Sequence, residues 1–116
     1  RDFVFVDDVA EGVLLAFDKA ADCTPINLGS GIGTTIKELI DIITSYIPGL
    51  NVRWDKGKPV GEDMRVLDIT RARGKIGYKP RISLKEGIGK TIEWYQENMD
   101  KLPQHYNVFH EKALIS

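Results

Sequence analysis

An α/β lobe of short strands and about three main helices is the fold class the sequence predicts. Three observations carry it. Short β-branched and aromatic runs stand at 2–6 (DFVFV) and 51–54 (NVRW). Longer stretches place apolar residues at helical spacing between and after them. The two strongest of these, at about 35–47 and 84–100, open on Thr or Ser with Glu three residues later.

Taken in order, the run 2–6 predicts a short strand. A helix over roughly 8–20 follows, capped by Asp7 or Asp8, with Val9, Val13, Ala16 and Phe17 on its inner face. The stretch CTPINLG reads as loop then short strand, with Pro25 near the start where a missing N–H is tolerated. The helix at 35–47 presents Ile36, Leu39, Ile40, Ile43 and Ile47, carries the capping box Thr35/Glu38, and ends at Pro48-Gly49. After NVRW, residues 55–65 form a polar loop rich in Gly and Pro. VLD is a brief strand, and Asp68 caps a short helix ending near Gly77. Pro80 keeps Lys79 extended. The last helix, 84–100, has a second capping box in Ser83/Glu86 and a face of Leu84, Ile88, Ile92, Tyr95 and Met99. Trp94, beside that stripe, is expected to be buried, and residues 104–116 read as a tail.

The bulk numbers bound the function. At 116 residues, 42% apolar and 28% charged, the chain has an ordinary globular composition and suits one domain or a piece of a larger one. Net charge is −1, which points to no polyanionic partner. Between Arg53 and Arg81, however, nine Lys and Arg face four Asp and Glu, a local excess of +5. Cys23 is the single cysteine, so no internal disulfide is possible, and a reducing, cytoplasmic setting is expected. No apolar run approaches the ~20 residues that span a bilayer, and no signal peptide is visible. A strand at the very start, without an initiator Met, predicts a chain cut from something longer.

The stretch NLGSGIGTTIKELIDII, with Gly29, Gly31 and Gly33 before a helix, invites a dinucleotide reading. The spacing argues against it. The pattern is G-x-G-x-G, and Thr34 stands where the third glycine of G-x-G-x-x-G should be. A turn feeding a capped helix is the better reading. Cys23, His105 and His110 have no metal-ligand spacing. Ser30 lies in G-S-G rather than a nucleophile elbow. The Asp7-Asp8 pair is explained by helix capping and dipole complementarity. Arg71, Arg73 and Lys75 read as solvated charges on the short helix, and Trp54 as a residue able to stack on a base.

The blocks RDFVFVDDVAEGVLLAF, INLGSG, TIKELIDII and KPVGEDMRVLDITRARGKIGYKPRISLKEGI, in that order, resemble the C-terminal part of NAD-dependent epimerase/dehydratases. These are extended short-chain dehydrogenase/reductases acting on nucleotide sugars, and the resemblance covers residues 1 to about 98. In that family the cofactor glycines, T-G-x-x-G-x-x-G, lie near the N-terminus and a Tyr-x-x-x-Lys pair lies mid-chain. Neither occurs here: four residues beyond Tyr46, Tyr78, Tyr95 and Tyr106 stand Leu50, Ile82, Met99 and His110. The resemblance therefore implies a substrate-binding lobe without its Rossmann half. Residues 1–24 would join the two parts, 25–103 would form the lobe, and 104–116 the tail.

What the resemblance implies about chemistry follows from the ligand. A nucleotide-diphosphate sugar carries about two negative charges, and the planar fork of Arg binds phosphate oxygens bidentately. Arg1 and Arg65 are expected on the diphosphate, with Lys58 in the same loop and Asp63 orienting Arg65 or accepting a ribose hydroxyl. Met64 departs from the pattern, because close relatives often carry a basic residue there. No catalytic, cofactor or metal ligand is expected from this chain alone. The NAD or NADP of the parent, hydride chemistry and a possible homodimer interface would belong to the Rossmann part. Two other classes remain open: a free-standing module binding nucleotides or a protein, and nucleic-acid binding through 53–81. The slightly acidic total and the lack of a recognised motif weigh against the latter.

Overall fold

A computed structural model describes residues 1–55, 57, 61 and 63–101. Among the described residues there are four α-helices, α1 (Val6–Lys19), α2 (Ile36–Tyr46), α3 (Thr70–Ile76) and α4 (Leu84–Asn98), followed by a 3₁₀ turn, Met99–Lys101. α1 packs on α3 and α2 packs on α4, giving two helix pairs. The predicted tail lies outside the described residues.

The predicted strands do not form a sheet. Among the described residues the only β pairing is an isolated antiparallel bridge between Asp2 and Gly33. A β-type run becomes a strand only when another run lies alongside it. Here the backbone groups find other partners. Asn27 Nδ2 donates to the Asp68 carbonyl at 3.1 Å, and an Arg71 guanidinium N–H donates to the Pro25 carbonyl at 2.7 Å. The lobe is therefore helical, with non-helical connections fastened by side chains.

α1 begins at Val6, earlier than predicted, and neither aspartate caps it. Phe5 occupies the N-cap without a side-chain bond. Asp8 is buried instead, 3% exposed, and accepts from the backbone N–H of Arg81 at 2.9 Å and of Ile82 at 3.1 Å. The inner face also differs from expectation. Ala16 packs on the core as expected, but it is joined by Leu15 and the buried Gly12, while Val13 and Phe17 point outward, Phe17 at 92% exposure. The reason is close approach. A Cβ at Gly12 would stand 2.8 Å from Leu28 Cδ2 and 3.0 Å from Tyr78 Cδ2, so the helix turns its small residues inward.

The core consists of Ile69, Ala72, Ile76 and Tyr78, with Leu15, Ala16, Ala20, Ile26 and Leu28 packed around it. α3 starts beside Asp68, whose carboxylate accepts the Thr70 N–H at 2.9 Å. It ends at Gly77, which takes the left-handed conformation (φ 74°) that favours glycine. Arg71 and Lys75 are not free solvated charges. Lys75 pairs with the Asp22 carboxylate and donates to Thr24 Oγ1, so with Arg71 it fastens loop 22–25 to α3.

α2 has the full predicted capping box. The Glu38 N–H donates to Thr35 Oγ1 at 3.1 Å, and the Thr35 N–H donates to Glu38 Oε2 at 2.7 Å. Thr35→Ala is expected to cost about 1 kcal/mol in urea unfolding, because it removes one half of the reciprocal pair. The second box is only half made. Ser83 accepts from the Glu86 N–H at 3.2 Å, but the Glu86 carboxylate turns to Lys90 at 2.9 Å. On α4, Leu84, Ile88 and Ile92 are half-buried, whereas Tyr95, Met99 and Trp94 are exposed; Trp94 is 55% exposed, against the expectation of burial. Trp54 is likewise 55% exposed.

Candidate functional site

The glycine loop is a turn built around a carboxylate. Asp2 Oδ1 accepts from the Ser30 N–H at 2.8 Å and from the Ser30 hydroxyl, and Asp2 Oδ2 accepts from the Gly31 N–H at 3.0 Å. The Leu67 N–H also donates to Asp2 Oδ2, at 3.2 Å. Gly29 is required for this arrangement: a Cβ there would lie 2.8 Å from both Asp2 Oδ2 and Leu67 Cδ1. Gly31 has φ +71°, again a conformation that favours glycine. From the core side, the buried Tyr78 hydroxyl donates to the Gly29 carbonyl at 3.1 Å.

Burial alone would raise the Asp2 pKa, but the Ser30 hydroxyl and the amides of Ser30, Gly31 and Leu67 bring it below the ordinary carboxylate value. The folded pKa is the lower one. The stabilisation is therefore complete above the free carboxyl's ordinary value of about 4 and is lost as pH falls through the folded value.

This arrangement bears on the dinucleotide reading of the loop. A dinucleotide pyrophosphate needs free amide N–H groups and positive potential at the turn. Here a carboxylate already takes two of those amides and brings negative charge. Segment 29–33 does not fit a dinucleotide.

Beside the turn lies an open pocket of about 440 Å³. Three segments wall it: Arg1, residues 33–36 at the start of α2, and the stretch containing Gly61, Asp63 and Met64. The Arg1 backbone is fixed by exchange with Thr34, donating N to O at 2.7 Å and accepting from the Thr34 N–H at 2.9 Å. Its guanidinium lies over Gly61, where a Cβ would be 3.1 Å from Nη2. Met64, 78% exposed, contributes an apolar edge.

Of the residues singled out from sequence, Arg1 and Asp63 line this pocket together. Arg65 is exposed two residues further on and is not among the lining residues. Lys58 lies outside the described residues. Sequence reasoning missed Asp2 and Gly61. The one signal for Asp2 was its place next to Arg1 in the RDF block. Among the described residues no group of His, Cys, Asp and Glu could hold a metal ion, and no helix is long and apolar enough to cross a membrane.

No family model matches the chain. Individual proteins do. It is 36% identical over 101 residues to the probable GDP-L-fucose synthase 1 of Oryza sativa subsp. japonica, covering 85% of this chain and 30% of that protein. The Bordetella bronchiseptica enzyme WbmF, solved in complex with NADH, superposes with a TM-score of 0.71 at 31% identity, over 87% of this chain and 30% of WbmF. The chain belongs to the NAD-dependent epimerase/dehydratases. It matches a C-terminal part of these extended short-chain dehydrogenase/reductases. A third relative is the UDP-glucose 4-epimerase of Thermotoga maritima, solved with UDP-glucose: TM-score 0.66, 35% identity, over 85% of this chain and 32% of that one. The chain thus spans about a third of the length of these epimerase/dehydratase relatives.

Proposed function

We propose that this chain is the nucleotide-sugar-gripping part of an NAD(P)-dependent epimerase, dehydratase or reductase, catalytically incomplete by itself. The observation that carries the reading is the pocket lined both by Arg1, on a backbone fixed to Thr34, and by Asp63 from a second segment. A guanidinium held on a fixed backbone loses little freedom when it takes a bidentate grip on a diphosphate. Arg1 holds one phosphate and Arg65, two residues beyond Asp63, the other. Asp63 orients Arg65 or accepts a ribose hydroxyl, and Lys58 adds charge from the same loop. The T. maritima epimerase was solved with UDP-glucose, and a second WbmF structure contains NAD⁺ and UDP, which supports this ligand class.

The nicotinamide of the full enzyme supplies hydride acceptance and return at a sugar carbon. This part supplies affinity and orientation, so that the sugar meets it. The outward stripe of α1 supports a larger whole. Val6, Val13, Leu14 and Phe17 are 55–92% exposed on a helix whose other side is already packed. A helix apolar on both sides is one that a further body covers. We assign that body to the Rossmann half, with the parent enzyme in the cytoplasm and its dimer contacts in that half.

Titration of the chain with UDP-glucose, followed by amide NMR, tests the reading, with a GDP-sugar and a dTDP-sugar as alternatives. One of the three is expected to shift the amides of residues 33–36 and 63–65. Arg1→Ala is expected to weaken that binding at least tenfold, because a charged bidentate contact is worth about 1.5–3 kcal/mol. No response to any of the three overturns the reading. Salt-sensitive binding of DNA or RNA in its place would indicate a nucleic-acid partner.

A further inference from the structure

The pocket's three walls come from parts of the chain far apart in sequence, and one side chain touches the supports of all three. Asp2 follows Arg1 directly. Its carboxylate takes the amides of Ser30 and Gly31, three and two residues before the pocket wall at Gly33. It also takes the amide of Leu67, four residues after Asp63 and two after Arg65. The Asp2–Gly33 bridge and the Arg1–Thr34 exchange extend the same junction toward α2.

We infer that Asp2 is the positioning residue of this pocket: its carboxylate sets the register between the three segments, and so fixes the starting points of the Arg1, Asp63 and Arg65 side chains. The inference rests on the proposed reading of the pocket as a nucleotide-sugar site. Its physical basis is that a carboxylate accepts several bonds at once. Each oxygen here has two donors, and all four donors are N–H or O–H groups. Asparagine cannot replace it, because its NH₂ would face N–H groups where Oδ1 or Oδ2 now accepts. Arg1 is next to it in the chain, and the neutral Tyr78 hydroxyl lies across Gly29, its pKa raised by burial and by the carboxylates of Asp8, Asp2 and Glu11.

The experiment has two readouts on the intact chain. In an acid titration followed by amide NMR, the Ser30, Gly31 and Leu67 signals are expected to move with one shared midpoint below the usual carboxylate range. Amides in the middle of α1 should not follow it. Affinity for UDP-glucose, or for whichever of the three nucleotide sugars binds, is expected to fall with that same midpoint. In Asp2→Asn the shared titration disappears and the affinity falls about tenfold, which corresponds to about 1.4 kcal/mol. A Leu67 amide that titrates independently of Ser30 and Gly31 overturns the inference. So does an Asp2→Asn protein that binds like the wild type. If the three amides titrate together but no nucleotide sugar binds, the junction stands and the ligand reading falls. The wild-type titration needs no variant, so it decides the matter even if Asp2→Asn does not fold.

Discussion

Tyr78→Ala is expected to lower the unfolding free energy by about 3–5 kcal/mol, read as a fall in the urea midpoint. Tyr78 is 1% exposed and is the largest fully buried side chain. It fills the space against Ile69, Ala72 and Ile76 and contacts the gap left by Gly12. Its hydroxyl satisfies the Gly29 carbonyl, so truncation leaves both a cavity and an unpaired buried acceptor. Total stability for a domain is about 5–15 kcal/mol, so this single change removes a large share of it. Tyr78→Phe separates the two effects. It keeps the ring and loses only the bond to the glycine loop, with an expected cost of about 1–2 kcal/mol. Equal losses in the two variants would mean that packing around the ring contributes little.

Asp8→Ala is the second large effect, with an expected loss of about 2–4 kcal/mol. The side chain is almost completely buried, and both its oxygens accept backbone N–H groups from Arg81 and Ile82. Alanine leaves two part-buried donors without an acceptor, and that penalty exceeds the net value of the bonds themselves. Arg81 also pairs through its guanidinium with Glu11 at 2.7 Å, one turn further along α1. That pair is largely exposed and compensates little. Asp8→Ala therefore loosens the link between α1 and the start of α4. A chevron analysis that found the loss below 1 kcal/mol would show that water replaces the carboxylate at those amides.

What the sequence made legible was local. The Thr35/Glu38 box, the end of α3 at Gly77 and the apolar start of α4 all depend on residues within one or two turns, and they appear as expected. The glycine loop, read as a turn, is a bend at Gly29 whose shape is set by Asp2, distant in sequence. The features that failed depend on distance. Whether DFVFV has a neighbouring strand is settled elsewhere in the chain, and among the described residues it finds a single bridge, from Asp2 to Gly33. The inner face of α1 was read correctly at Ala16 but misread at Val13 and Phe17, because close packing selected Gly12 and Leu15 instead. Asp8 looked like a helix cap, yet its partners lie more than 70 residues away. Arg1 and Asp63 were named from the family resemblance, and the spacing 1 to 63 gives no hint that they share a pocket.

Among the described residues, the buried hydrophobic side chains lie in α3 and its flanks, against α1, while α2 has no buried residue and α4 only Gly87. The lobe is thus stiff on one side and compliant on the other. The hollow at Arg1 opens on the compliant side, at the start of α2. An occupant there would act as a brace. It would slow the opening of α2 more than that of α3, and the energy spent ordering that helix would be deducted from its own grip.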